Sequence, residues 1–242
     1  MKKNLILIFI FLFFLGGPLY VLLSGQLVLN EHWRTANRSS ADLAPNPFKD
    51  RESIVQIYGA RTYGWRGMFA IHTWIAIKPK NQFVYTVYQA LGWNYFRNQP
   101  VVDVRQDIPD RVWFSHQPKI LFQAKGEQAE KIIAEIQAAV KSYPYKNGYH
   151  MWPGPNSNTF VAYVIRHSPS IKISMPMTAI GKDYLINGIC ESAISKTGVQ
   201  CSLKGVLGFT FARVEGVELN ILGFSFGINR SYPFVHLSGI DQ

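Results

Sequence analysis

Ser157 and His72 are the two residues whose types and positions could support nucleophilic catalysis. Ser157 follows a Gly/Pro-rich turn at 152–156 and opens a stretch with helical character. A helix start exposes unpaired N–H groups and a positive dipole, which stabilise the oxyanion formed when a carbonyl is attacked. A serine also needs a general base, and His72 lies in an earlier strand-like segment. The pair predicts a hydrolase or acyltransferase, with the backbone N–H of Asn158 or Thr159 holding the oxyanion.

The same residues also have a purely structural interpretation. Ser157 lies between Asn156 and Asn158, and either Ser157 or Asn156 can cap the helix, which contributes about 1 kcal/mol without any chemistry. His72 is surrounded by apolar residues, as an interior histidine would be. Catalysis would also need a third group that orients the imidazole of His72, and the sequence spacing does not indicate which residue this is. The candidates are Tyr85, Gln89, His116 and His150.

No metal or cofactor site is expected from the sequence. The 6 histidines include no pair at a helical spacing of three or four residues. Asp107 and Asp110 flank Pro109, which favours a turn with locally bonded carboxylates over a pair for acid/base catalysis. Cys190 and Cys201 lack a CxxC or His-rich setting, and they are compatible with a disulfide or with two free thiols.

Residues 1–25 predict a membrane anchor. Lys2 and Lys3 precede the uncharged run from Leu5 to Leu23, and about 20 apolar residues can cross a bilayer. The basic N-terminus favours a single pass through the inner membrane with the remainder in the periplasm. A cleaved signal peptide is the alternative, although cleavage after Ser24 or Gly25 would put leucine where a small residue is wanted.

The rest of the chain divides into a polar linker at 26–53 and one folded domain at 54–242. Hydrophobic residues make up 48% of the chain and charged residues 17%, which indicates a substantial core. The net charge of +10 is not accompanied by a nucleic-acid motif, so no nucleic-acid partner is expected. The Lys and Arg residues are scattered, which favours a solvated basic surface, and an anionic membrane surface is the best specific partner. The oligomeric state stays open.

Periodicity predicts an α+β domain in which helices pack on a central antiparallel sheet. Gly126–Ser142 has apolar residues at helical spacing, and a second helix is expected over Asn158–His167. The related segments Val206–Phe211 and Ile221–Phe226 predict a hairpin that turns near Glu215. Five further runs predict strands: Ile54–Tyr58, Phe69–Ile77, Phe83–Leu91, Val101–Arg105 and Ile120–Gln123.

Asn156, Ser157 and Phe160 form an Asn-Ser-x-x-Phe pattern at the start of the second helix. This start resembles that of circularly permuted papain-like domains, relatives of the NlpC-type cell-wall peptidases, in which an Asn-Cys-x-x-Phe pattern opens the nucleophile helix. The present sequence has serine in place of the cysteine. The resemblance implies a permuted papain-like fold. Because a thiolate is far more accessible than an alkoxide, the substitution implies impaired catalysis.

A second resemblance covers most of the chain after the anchor. The segments that carry it are His72–Ile75, Pro109–Trp113, Tyr143–Tyr145, Pro153–Phe160, Ala179–Tyr184 and Glu215–Gly223. With these segments the sequence looks like the bacterial family named domain of unknown function 3750, which implies relatedness and an envelope-facing placement without an activity.

Three functional hypotheses follow. The leading one is a noncatalytic or weakly catalytic envelope module whose cleft, between the His72 strand and the Ser157 helix start, binds a peptide, acyl or cell-wall fragment. The second is the Ser157/His72 hydrolase or acyltransferase, with Asn156 and Asn158 supporting the site. The third is a structural or assembly partner that acts through residues 206–226.

Overall fold

Two five-stranded antiparallel sheets dominate the described part of the chain, residues 14–228 of this computed structural model. In the N-terminal sheet the strand order is β4-β3-β2-β1-β5, and in the C-terminal sheet it is β10-β9-β8-β7-β6. The strands are β1 (Ile54–Arg61), β2 (Ile71–Lys78), β3 (Thr86–Ala90), β4 (Val102–Gln106), β5 (Lys119–Lys125), β6 (Cys190–Ser192), β7 (Gly198–Leu203), β8 (Leu207–Ala212), β9 (Gly216–Ile221) and β10 (Phe224–Ile228). The predicted mixed α+β class with antiparallel pairing is confirmed.

Besides the helical residues 14–23, three α-helices accompany the sheets among the described elements: α1 (Gly92–Phe96), α2 (Gly126–Ser142) and α3 (Ser157–Arg166). A short 3₁₀ helix spans Gly64–Met68. In α2, Ala129, Ile132, Ile133 and Ile136 are buried at helical spacing, and Pro144 follows its end. The predicted bounds of α2 are confirmed, and α3 begins one residue earlier than predicted.

The N-terminal sheet is buried on both faces at its centre. Ile75 and Ile77 of β2 join the core that also contains α2 and α3. Trp74 and Ala76, which alternate with them, join a second apolar cluster with Tyr58 on the opposite face. Because side chains alternate along a strand, neighbouring residues of β2 belong to different cores.

The C-terminal sheet corrects the predicted hairpin. The two similar segments pair only at one end, where Leu207 lies opposite Ile221. Most of the second segment lies in β10, and β9 separates β10 from β8. The chain does reverse between Ala212 and Gly216, close to the predicted turn. Cys190 and Cys201 lie opposite each other in β6 and β7 and form a disulfide.

Residues 26–53, for which we predicted a linker, lie against the domain and are bonded to it. Val28 N donates to His116 Nε2 at 3.2 Å, and the phenol of Tyr63 donates to Glu31 O at 2.8 Å. Farther along, Ser40 forms an isolated bridge with Arg111. The segment is thus held against the domain surface from several sides.

The predicted anchor falls only partly within the described residues. Residues 14–23 are helical, and Val21 is fully buried. Among residues 14–228, none of the helices combines the length and the apolar character needed to cross a membrane. Residues 1–13 and 229–242, including most of the predicted anchor and His236, lie outside the described residues.

Candidate functional site

His72 lies in a stack of aromatic rings on the second-core face of the N-terminal sheet. Its imidazole is 3.9 Å from the ring centre of Trp113 and 5.8 Å from that of Trp74. Its Nε2 is 3.2 Å from Gln89 Oε1. Burial lowers the pKa of His72 to about 4, with only partial compensation from this hydrogen bond. The imidazole is therefore neutral at physiological pH.

The start of α3 is closed by the side chain of Asn156, which is the N-cap residue. Asn156 Oδ1 accepts hydrogen bonds from Asn158 N at 2.9 Å and Thr159 N at 3.1 Å. Thr159 Oγ1 in turn accepts from Asn156 N at 3.1 Å, which completes a reciprocal capping box. The two N–H groups predicted to hold an oxyanion are therefore engaged by a residue of the same chain.

Ser157 lies close to a tyrosine. Burial raises the pKa of the Tyr149 phenol, and the hydroxyl and backbone N–H of Ser157 lower it by a smaller amount. The phenol is therefore neutral at physiological pH. Ser157 is 5% exposed, and the titratable side chain beside it is a neutral phenol and not a general base.

Asn158 ties this helix start to strand β2. Its Nδ2 donates to Ile71 O at 2.9 Å and to Ile180 O at 2.8 Å, and its Oδ1 accepts from Thr73 Oγ1 at 2.9 Å. Asn156 Nδ2 donates to the same Ile180 carbonyl at 3.0 Å. The two asparagines thus join α3, β2 and the 178–181 segment.

The structure does not bring His72 and Ser157 together. Asn158 bonds to Thr73, whose side chain lies on the α3 face of β2, whereas His72 points to the opposite face and stacks on Trp74. Within the described residues no hydrogen bond joins His72 to Ser157. Both side chains are 5% exposed, so the predicted cleft is not open between them. The catalytic roles of these residues stay predictions.

The residues considered as a third catalytic group are also dispersed. Gln89 bonds His72 and donates to Asp103 Oδ2 at 3.3 Å. The Tyr85 phenol donates to Pro45 O at 2.8 Å, His116 accepts from Val28, and His150 is exposed. Gln89 is the candidate in this group that contacts His72.

Asp107 and Asp110 have structural partners of different kinds. Asp107 pairs with Arg111 and accepts from Ile108 N at 2.8 Å, as expected of a local turn. Asp110 is 1% exposed, and its carboxylate accepts from residues far away in sequence: Ser40 Oγ at 2.8 Å, Leu43 N at 2.6 Å and Ala44 N at 3.0 Å. The prediction of local bonding is right for Asp107 and wrong for Asp110.

A groove of about 590 Å³ lies beside this loop, between residues 40–47 and 106–110. Phe83 and Tyr85 contribute to its wall, and neither His72 nor Ser157 lines it. Among the tryptophans of the folded domain, Trp74 and Trp113 are buried, whereas Trp65, Trp93 and Trp152 are exposed. The buried pair belongs to the core, as ordinary packing predicts.

A buried ionic cluster behind the C-terminal sheet was missed by the sequence reasoning. Lys182 Nζ lies 3.2 Å from Asp183 Oδ1 and 2.5 Å from Glu218 Oε2. Although burial alone would lower it, the pKa of Lys182 is raised because these two carboxylates favour the charged amine. Asp183 also accepts from Gln200 Nε2 at 2.6 Å and Asn220 Nδ2 at 2.9 Å. The sequence signal that could have indicated this cluster is the adjacent pair Lys182-Asp183 within the otherwise uncharged segment 179–185.

Comparison with known proteins identifies the family. Residues 52–184 match the family described as protein of unknown function (DUF3750), which is more than half of the chain. The chain belongs to this family. The match includes Ser157, His72 and the Lys182-Asp183 pair and ends before the C-terminal sheet. No curated protein and no solved structure matches the chain.

We expect Asn156→Ala to destabilise the protein more than Ser157→Ala. The first change removes the cap of two N–H groups and leaves the buried carbonyl of Ile180 with one donor fewer, so the free energy of unfolding should fall by about 2–3 kcal/mol. The second removes one hydroxyl contact with Tyr149, at about 1 kcal/mol. Urea unfolding followed by circular dichroism measures both. A larger loss for Ser157→Ala would contradict the structural roles assigned here.

Proposed function

We propose that this chain is a noncatalytic, membrane-tethered module of the bacterial envelope, in which the Ser157 helix start serves as a structural joint. The observation that carries the proposal is the occupation of the Asn158 and Thr159 N–H groups by Asn156 Oδ1. Attack by Ser157 would create an oxyanion at a helix start whose donors are already engaged. His72, the only base predicted for this attack, stacks on the other face of the sheet.

Three observations support the envelope placement. The uncharged run Leu5–Leu23 behind Lys2 and Lys3 has the length and flanking charge of a signal anchor. The Cys190–Cys201 disulfide fits an oxidising compartment such as the periplasm. The net charge of +10 suits an anionic lipid surface.

We also propose that the joint derives from a permuted papain-like nucleophile site. The supporting features are the order of β2 before α3, the packing of α3 on that sheet, and the Asn156-Ser157-x-x-Phe160 pattern at the helix start. In this interpretation the nucleophile site lost its thiol, and the side chain of Asn156 came to occupy the N–H donors at the helix start. The module then acts by binding, with no turnover.

The proposal predicts no Ser157-dependent turnover. The full chain, in detergent or in vesicles, would be assayed with acyl esters and cell-wall peptides beside the variants Ser157→Ala and His72→Gln. We expect the same background rate for all three proteins, because the oxyanion donors and the base are committed elsewhere. Turnover by the native chain that both substitutions abolish would favour the hydrolase or acyltransferase hypothesis instead.

A further inference from the structure

The C-terminal sheet has its apolar side chains on the outside. Strand pairing aligns three rows across β7, β8, β9 and β10, and every member is apolar. The rows are Leu203-Leu207-Ile221-Phe224, Cys201-Phe209-Leu219-Phe226 and Val199-Phe211-Val217-Ile228. We call these twelve residues the apolar face. Its outermost side chains are exposed, with Phe211 at 66% and Val217 at 56%.

The opposite face of the same strands is polar and buried. It carries Gln200, Thr210, Glu218, Asn220 and Ser225, each at most 4% exposed. Antiparallel sheets in soluble domains normally present the reverse arrangement, with polar residues toward water. The buried bonds of Lys182, Asp183 and Glu218 fix this orientation, because turning the sheet over would expose or break the cluster.

The apolar face is large for a surface that stays in water. Strands lie about 4.8 Å apart and rise about 3.3 Å per residue, so the three rows cover about 14 Å by 13 Å between Cα atoms before side chains are added. The side chains extend beyond this outline. Contiguous apolar patches of a few hundred Å² are the largest on typical monomeric proteins, and they often mark interaction sites.

Phe14 of the N-terminal apolar segment points to the occupant, because it already lies on one side of this face. The ring of Phe14 is 5.9 Å from Phe224 and 5.4 Å from Phe226, both edge-on. Phe226 is 4% exposed, whereas Leu219, its partner in the same row, is 45% exposed. Phe14 belongs to the uncharged run Leu5–Leu23, whose length is suited to a bilayer, and it contacts the domain at the apolar face.

The charge at the two ends of the strands complements a lipid headgroup layer. Lys204 follows β7 at one end of the sheet, and Arg213 follows β8 at the other; both are exposed. A sheet that lies flat on a bilayer would bring both cations to the headgroups while its apolar side chains reach the acyl region. Basic residues near an anionic surface strengthen the attachment to it.

We propose that the apolar face of the C-terminal sheet lies in the interfacial layer of an anionic bilayer, beside the N-terminal segment. This inference rests on the membrane placement proposed above and adds the surface of contact. The domain is then held flat on the membrane through β7–β10. This contact fixes the orientation of the groove beside residues 40–47 relative to the membrane.

The test places a fluorescent probe on the apolar face of the full chain. Cys190 and Cys201 are joined, so Phe211→Cys supplies a single reactive thiol for an NBD label. Phe96→Cys is the matched control, since Phe96 is an 84% exposed phenylalanine outside this sheet. The chain would be reconstituted in vesicles of phosphatidylcholine and phosphatidylglycerol. We expect iodide quenching to be severalfold weaker at 211 than at 96, and lipids with nitroxide-labelled acyl chains to quench only the probe at 211.

Each other outcome has a defined meaning. A vesicle-bound chain whose probe at 211 is as accessible to iodide as the probe at 96 would overturn the docking surface and leave the tether intact. Protection from iodide without nitroxide quenching would also overturn it, because protein, such as a second copy, would then cover the face. A chain that does not float with vesicles would remove the proposed membrane placement as well.

Discussion

Asp183→Ala should cost about 3–5 kcal/mol of unfolding free energy, the largest effect of any single substitution considered. The Asp183 carboxylate accepts hydrogen bonds from Lys182, Gln200, Asn220 and Ser225, all of which are buried. Its removal leaves buried donors unpaired and weakens the compensation of the Lys182 charge, and breaking a buried ion pair from one side typically has a cost of this size. Denaturant unfolding at neutral pH measures the loss.

Two further variants calibrate that result. Glu218→Gln keeps an acceptor near Lys182 and leaves Asp183 in place, so we expect a smaller loss. Glu127→Ala removes an exposed carboxylate in the first turn of α2 and should cost only a few tenths of a kcal/mol. Equal stability of Asp183→Ala and Glu127→Ala would show that the ionic cluster does not hold the C-terminal sheet in its orientation.

Acidification should destabilise the protein through His72. The unfolded chain binds a proton at this residue near its ordinary pKa of 6.5, whereas the folded pKa is about 4 because of burial. The unfolded state therefore binds more protons between these values, and stability falls as the pH drops from about 6.5 to about 4. The difference of about 2.5 pKa units corresponds to a loss of about 3 kcal/mol.

The measurement compares pH-dependent unfolding of the native chain with that of His72→Gln. The variant forfeits ring stacking on Trp113, so its stability at pH 7 should be lower. The informative quantity is the slope of unfolding free energy against pH between about 4 and 6.5, which should be smaller by about 1 kcal/mol per pH unit. Identical slopes would mean that His72 titrates alike in the folded and unfolded chains, and that it is not a buried neutral ring.

Local elements were predictable from the sequence because their signals are local. The spacing of Ala129, Ile132 and Ile136 indicates α2 without knowledge of its neighbours. The polar residues ahead of an apolar stretch likewise locate the start of α3, and Asn156 is one of the two caps predicted for it. The short β-branched runs gave the strands of the N-terminal sheet within a few residues.

The relation between His72 and Ser157 was not predictable because β2 is apolar on both faces. With Ile75 on one side and Trp74 on the other, polarity does not indicate which face α3 covers. A similar difficulty affects β8, where the alternation of Phe209 with Thr210 is plain but the inward face is the polar one. The polar face can be buried because Lys182 pairs with Glu218 on it. Lys182 lies outside the strands and 36 residues before Glu218, so the pairing has no local signal in the sequence.

Covalent labelling with a fluorophosphonate, followed by intact mass analysis, tests the closure of the Ser157 site most directly. Such a probe reacts with activated serines without requiring knowledge of a substrate. We expect the native chain to remain unlabelled under conditions that fully label a serine hydrolase added as a positive control, because Asn156 engages the N–H donors of Asn158 and Thr159 at the helix start. Stoichiometric labelling of the native chain that Ser157→Ala abolishes would contradict the account.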